Sequence, residues 1–186
     1  MLKAIYLAGV PASGKTTIMR EVRNRMMSSA VPFERGTLHG VMAGNVFAYG
    51  VFDGSLFEGT DRLSMCVIDD AIAHVKELQG GADRHVLFVE GDRLFCERFL
   101  RAASATVIVI DAAKQVLCNR HKLRRDRQTS TRLKACRTKI ENFCSRHKVI
   151  RVFNNTPGDL SRIVGEIVRI ATEYMNEPIS KRDKRG

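Results

Sequence analysis

No stretch of this chain is apolar for anything near the ~20 residues that a membrane-crossing helix requires. The start, Met1-Leu2-Lys3, enters an apolar run too short and too soon interrupted for a secretion signal. Cysteine pairing is lacking as well. Cys66, Cys96, Cys118, Cys136 and Cys144 are odd in number and contain no CxxC pair, which argues against a disulfide frame or a zinc site. Reduced thiols in a cytoplasm are the expectation. His39, His74, His85, His121 and His147 show no metal-ligand spacing, and no internal repeat is present.

Acidic residues are scarce in one region only. Between Asn119 and Arg151, twelve lysines and arginines face only Asp126 and Glu141, a net +10. Lys181 to Arg185 carries a further +3, so of the formal +11 for all 186 residues the remainder holds about −2. A near-neutral globule with one basic region and a basic tail points to a polyanionic partner. The length suits one domain over residues 1–175, with a lid at about 119–147 and a basic tail over 176–186.

Gly9-Val10-Pro11-Ala12-Ser13-Gly14-Lys15-Thr16 is what the chain does have, and it reads G-x-x-x-x-G-K-[ST]. The apolar run Ala4 to Ala8 precedes it and a helical pattern from Thr16 to Met27 follows. Glycines let backbone N–H groups turn inward around a polyphosphate, and the helix N-terminus adds a positive dipole end. Gly9, Ala12, Ser13, Gly14, Lys15, Thr16 and Thr17 are therefore expected to bind nucleotide, Lys15 at the β/γ-phosphates and Thr16 on Mg²⁺.

Leu38 to Ala43 and Val46 to Asp53, joined by Gly44-Asn45, read as a hairpin. Apolar spacing predicts helices over Arg62 to Leu78, Arg93 to Ala102, Ala112 to Arg127 and Thr131 to His147, and a last one carrying Leu160, Ile163 and Ile167. Strands are expected at His85 to Glu90, Ala105 to Asp111 and Val149 to Phe153. Strands alternating with helices predict an α/β fold, a mainly parallel sheet flanked by helices with a hairpin insertion.

A phosphate loop needs an acid for its metal at the end of a second buried strand. Glu90 is the first candidate and Asp92 the second, with a strand end or helix cap as the plain alternative. Asp111 ends an equally apolar strand but directly precedes a helix, and is read as its cap. The polar connection Asp53 to Arg62 offers Asp53, then Asp61, as the carboxylate that orients and deprotonates an acceptor hydroxyl. Arg120, Arg124 and Arg127 share one helical face. Arginines so placed can close over a transferring phosphate: Arg120 on the nucleotide, Arg124 and Arg127 on transition-state charge. Asn154 and Asn155 can offer donor and acceptor to a base edge. Thr156 and Pro157 suit the cap and first position of the last helix.

Together, Gly9 to Thr16, the strand ending Glu90-Gly91-Asp92-Arg93, the arginine-rich segment and Asn154-Asn155-Thr156-Pro157 resemble the P-loop nucleoside and nucleotide kinases. Glu58-Gly59-Thr60-Asp61-Arg62-Leu63-Ser64 with Leu133 to Asn142 narrows this. That combination is similar to bacteriophage kinases that phosphorylate 5-hydroxymethyluracil within DNA on the way to hypermodified thymine. The resemblance implies ATP and Mg²⁺ as cofactors, DNA (double-stranded) as substrate and a host-cell cytoplasm. A kinase of free nucleosides or nucleoside monophosphates is the alternative, and a nucleotide-dependent DNA-binding module without turnover is a third.

Overall fold

Three largely apolar runs occupy the middle of the sheet. They are β1 (Leu2–Ala8), β5 (His85–Glu90) and β6 (Thr106–Asp111), and most side chains in them are buried. Strands covered on both faces read as continuous apolar runs, yet the pleat still sorts their side chains. Ala4, Tyr6, Leu87, Val89, Val107 and Val109 enter one core. Ile5, Leu7, Val86, Phe88, Ile108 and Ile110 enter the other. The computed structural model describes residues 1–53, 58–123 and 129–177.

Among the described residues seven strands form one sheet in the order β2-β3-β4-β5-β1-β6-β7. From β4 (Val46–Tyr49) to β7 (Ile150–Phe153) the neighbours run parallel, whereas β2 (Val31–Arg35), β3 (Leu38–Ala43) and β4 pair antiparallel. Helix α1 (Lys15–Met26) and helix α6 (Pro157–Asn176) supply Ile18, Val22, Ile163, Val164 and Ile167 to one face. Helices α2 (Val67–Gly80), α3 (Glu97–Ala102) and α5 (Ser130–Cys144) supply Val67, Ala71, Val75, Phe99, Ile140 and Phe143 to the other. Helix α4 (Lys114–Leu123) leads from β6 toward α5. The α/β sheet flanked by helices is as the sequence predicts. Among the described residues no helix is long and apolar enough to cross a membrane.

Several boundaries differ from expectation, each for a local reason. The hairpin gains a third strand, because β2 pairs along β3 in a segment to which no element was assigned. This is an edge strand, where Pro32 lacks only an outward N–H and exposed Glu34 and Arg35 do no harm. Helix α2 begins at Val67 rather than Arg62, with a 3-10 turn at Thr60–Arg62 before it. Leu63 is buried as its spacing implied, but its backbone is extended. Helix α3 starts at Glu97 rather than Arg93, after turns in which Phe95 N–H donates to the Asp92 carbonyl and Cys96 N–H to that of Leu94. Helix α4 is described to Leu123, and Thr129 caps α5, its hydroxyl accepting from Arg132 N–H at 3.3 Å. Arg124, Arg127 and the tail from residue 178 lie outside the described residues.

At α6 a capping box fixes the first turn, Thr156 and Asp159 each accepting the other's backbone N–H, with Pro157 at the first position. Replacing Thr156 with Ala is expected to cost about 1 kcal/mol, against about 3–5 kcal/mol for Phe88→Ala in the fully buried sheet centre. Urea unfolding of the two variants measures the difference.

Candidate active site

Parallel strands place their carboxyl ends on one edge, and that is where open α/β sheets bind ligands. Here β1 ends at Ala8 and enters the loop, while β5 ends at Glu90, opposite Leu7 in register. The loop takes left-handed conformations at Ala12 (φ 64°) and Gly14 (φ 100°). A Cβ on Gly14 would collide with the Asn154 amide, so only glycine lets the chain enter α1 so close to β7. Lys15 Nζ donates to the carbonyls of Gly9 (2.8 Å) and Val10 (3.1 Å), lying across the concavity. Ser13 is fully buried, and its hydroxyl has no hydrogen-bond partner among the described residues. A ring of inward backbone with a spare hydroxyl and one ammonium fits a polyphosphate.

Glu90 is 3% exposed and accepts from Thr16 Oγ1 at 3.2 Å. Burial pushes its carboxyl up to about 7; Asp61 and Glu58 push the same way, while Lys15 and the Thr16 hydrogen bond pull it back. Two neighbours hold it in place. Thr60 Oγ1 donates to the Glu90 backbone carbonyl at 2.6 Å. Gly59, at φ 99°, lies so close that a Cβ would strike Glu90 Oε1. A buried hydroxyl–carboxylate pair beside a phosphate loop is a donor set suited to Mg²⁺. Asp92, the second choice for the metal, is exposed and paired with Lys139 Nζ at 2.6 Å.

The cleft over the loop measures about 240 Å³ and is walled by Lys15, Thr16, Glu58, Asp61, Glu90 and Phe95. Helix α5 closes it with Arg132, Cys136, Lys139 and Ile140. Asp61 is on the wall, where its Oδ1 accepts Asp92 N–H at 2.7 Å and its carbonyl accepts from Arg93. Asp53 lies outside the lining, exposed and ion-paired with Arg62.

Arg120 reaches the loop from α4, its Nη1 donating to the Ser13 carbonyl at 3.2 Å and that of Ala12 at 3.4 Å. Thr17 sits in the first turn of α1 but is exposed and off the lining. Asn154 departs from the base-edge expectation. It is 3% exposed and donates Nδ2–H to the Ser13 carbonyl at 2.9 Å, bracing the loop from below. Asn155 Oδ1 accepts Ala113 N–H at 2.7 Å just ahead of α4. The cap role expected of Asp111 thus falls to Asn155, because the Asp111 carboxylate is turned to Arg151 Nη1 at 3.2 Å.

Glu58, Phe95 and the α5 residues are cleft-wall members that the sequence reading did not assign. Arg132, Cys136, Lys139 and Ile140 are spaced at i, i+4, i+7 and i+8, a helical stripe that could have revealed the cleft face. Glu58 stood only as the first residue of the Glu58-to-Ser64 resemblance, with no role of its own.

Strand, phosphate loop, helix and a buried acid on the adjacent strand define a P-loop kinase fold. The sequence profile of the family described as P-loop Nucleotide Kinase3 matches residues 1–168, and the chain belongs to that family. It is a nucleotide-binding kinase. No curated protein matches it. Among solved structures, a gluconokinase from Sinorhizobium meliloti 1021 is 15% identical over 94% of each chain, with a TM-score of 0.46. An unliganded sugar kinase from Janibacter sp. HTCC2649 is 11% identical over 95% of each chain, with a TM-score of 0.40. Likeness at that level bears on neither substrate nor mechanism.

The Glu90 carboxyl has a testable consequence. Its folded value lies above the unfolded one, so the native state holds this proton more tightly. In the metal-free protein this contribution to stability is complete below about 4.5 and is lost as pH rises to about 7, roughly 3 kcal/mol in all. Glu90→Gln should flatten that part of the stability–pH curve, as measured by urea unfolding from pH 4.5 to 7.5.

Proposed function

We propose that the chain transfers the terminal phosphate of ATP to the hydroxymethyl group of 5-hydroxymethyluracil in double-stranded DNA. The observation that carries this reading is the wall of the cleft facing Lys15. That wall is α5, which comes from the segment of net +10 and sends Arg132 and Lys139 into the cleft. A kinase of free nucleotides gains little from so extended a basic surface, whereas DNA gains affinity from every phosphate neutralised. The similarity of Glu58 to Ser64 and Leu133 to Asn142 to phage DNA-base kinases supports the same acceptor. A 5-substituent projects into the major groove, where it can be reached in the duplex or after extrusion of the base.

Magnesium-bound ATP supplies the phosphoryl group and, through the metal, screening of its charge. The residues of this chain do the positioning. Lys15 and the loop amides hold the phosphates, and Thr16 and Glu90 hold the metal. Arg120 lies where it can follow the nucleotide, with Arg124 and Arg127 farther along the same segment as candidates for transition-state charge. An acid of the cleft lining receives the acceptor hydroxyl.

Incubation with ATP labelled at its terminal phosphate, with hydroxymethylated duplex or free nucleosides, tests the acceptor. Label is expected in DNA. If α5 and its neighbours meet about four phosphates, the KM for DNA should rise roughly 100-fold between 50 and 200 mM salt while that for ATP changes little. Lys15→Ala should abolish transfer while leaving the fold intact. Label confined to free nucleosides, with a flat salt response, would overturn the DNA reading.

A further inference from the structure

Asp53 and Asp61 were the expected acceptor-side acids, but five acids line or adjoin the cleft and their surroundings separate them; of these, Asp92 is exposed and paired with Lys139 at 2.6 Å. Asp53 is exposed, outside the cleft and ion-paired with Arg62. The Asp61 carboxylate is committed to the backbone, accepting Asp92 N–H at 2.7 Å, which holds the turn after β5. Glu90 faces Thr16 on the metal side. Glu58 differs from the other four. Its side chain is 5% exposed, yet it lines the cleft beside Lys15 and Glu90. One carboxylate oxygen is addressed by two cations from α1, Arg20 Nη2 at 3.5 Å and Arg23 Nη1 at 3.7 Å. Arg23 is itself fixed, its guanidinium 3.7 Å from the centre of the Phe52 ring. An acid buried in a reaction cleft, with two cations near one of its oxygens, is pre-oriented for proton transfer, which an exposed acid is not.

Resting on the reading of this cleft as a kinase site, we infer that Glu58 is the catalytic base for the acceptor hydroxyl. The acceptor oxygen forms its bond to the terminal phosphorus of ATP as its proton passes to the Glu58 carboxylate. The bond from that phosphorus to the bridging oxygen breaks, and ADP leaves with the electron pair. Protonated Glu58 then returns its proton to water after the products leave. Arg20 and Arg23 are positioning residues, keeping one oxygen of Glu58 in place. Gly59 and Thr60 extend the same frame to Glu90, so base and metal ligand sit on consecutive supports.

The test compares wild type, Glu58→Gln and Asp53→Asn, using whichever acceptor the wild type labels best among hydroxymethylated duplex and free nucleosides. ATP affinity is read separately from a fluorescent ATP analogue, and folding from the thermal midpoint. Glu58→Gln should lower kcat roughly 100-fold or more, with the analogue's Kd and the acceptor KM changed less than threefold. Asp53→Asn should stay within threefold of wild type throughout. A merely structural Glu58 would instead lower the thermal midpoint and weaken nucleotide binding along with turnover, and that result overturns the proposal. So does a Glu58→Gln enzyme with kcat within threefold of wild type. If the wild type prefers free nucleosides, the DNA acceptor falls while Glu58 is still judged on the nucleoside.

Discussion

A carboxylate with 3% exposure at the end of a central strand is an expensive thing to keep. Isolated in an apolar interior it would take up a proton, and Glu90 does rise to about 7. Much of the site is arranged around that one constraint. Thr16 donates to the carboxylate, Thr60 holds its backbone, Gly59 makes room for it, and Lys15 offsets its charge. A divalent cation on the same oxygens would favour the ionised form outright, so under the proposed function metal binding would displace that proton.

The sheet explains how so few residues can be held so closely. Strands β1 and β5 run parallel and in contact, so the loop after one and the acid at the end of the other arrive together without a long connection. The turn after β7 supports the loop from beneath through Asn154, and α4 supports it from the side through Arg120. Across the cleft, the Asp92–Lys139 pair joins the β5 turn to α5. This pair is exposed and contributes little to stability, but it ties the basic helix to the strand that carries Glu90. A partner that draws Lys139 away would loosen that tie.

The phosphate loop and Glu90 were legible because each is a local pattern: a fixed spacing in one case, four apolar residues before an acid in the other. Thr156 and Pro157 were legible for the same reason. What stayed hidden depends on residues distant in sequence. Strand β2 has exposed charges and a proline, and only its pairing with β3 makes it a strand. Leu63 continues a helical apolar spacing, but the bond from Thr60 to the Glu90 carbonyl holds its segment out of the helix. The turn of Asn154 under Ser13 and the burial of Glu58 against Arg20 and Arg23 likewise arise only after α1 and the sheet have met.

The exchange of proton for metal proposed at Glu90 can be counted directly. Calorimetric titration of magnesium–ATP into the protein at pH 6, repeated in buffers of different ionisation enthalpy, reports protons released per nucleotide bound. About one proton released by the wild type, and about one fewer by Glu90→Gln, is what a buried protonated carboxyl yielding to a cation predicts. Equal proton release by the two proteins would contradict the central role given to this residue.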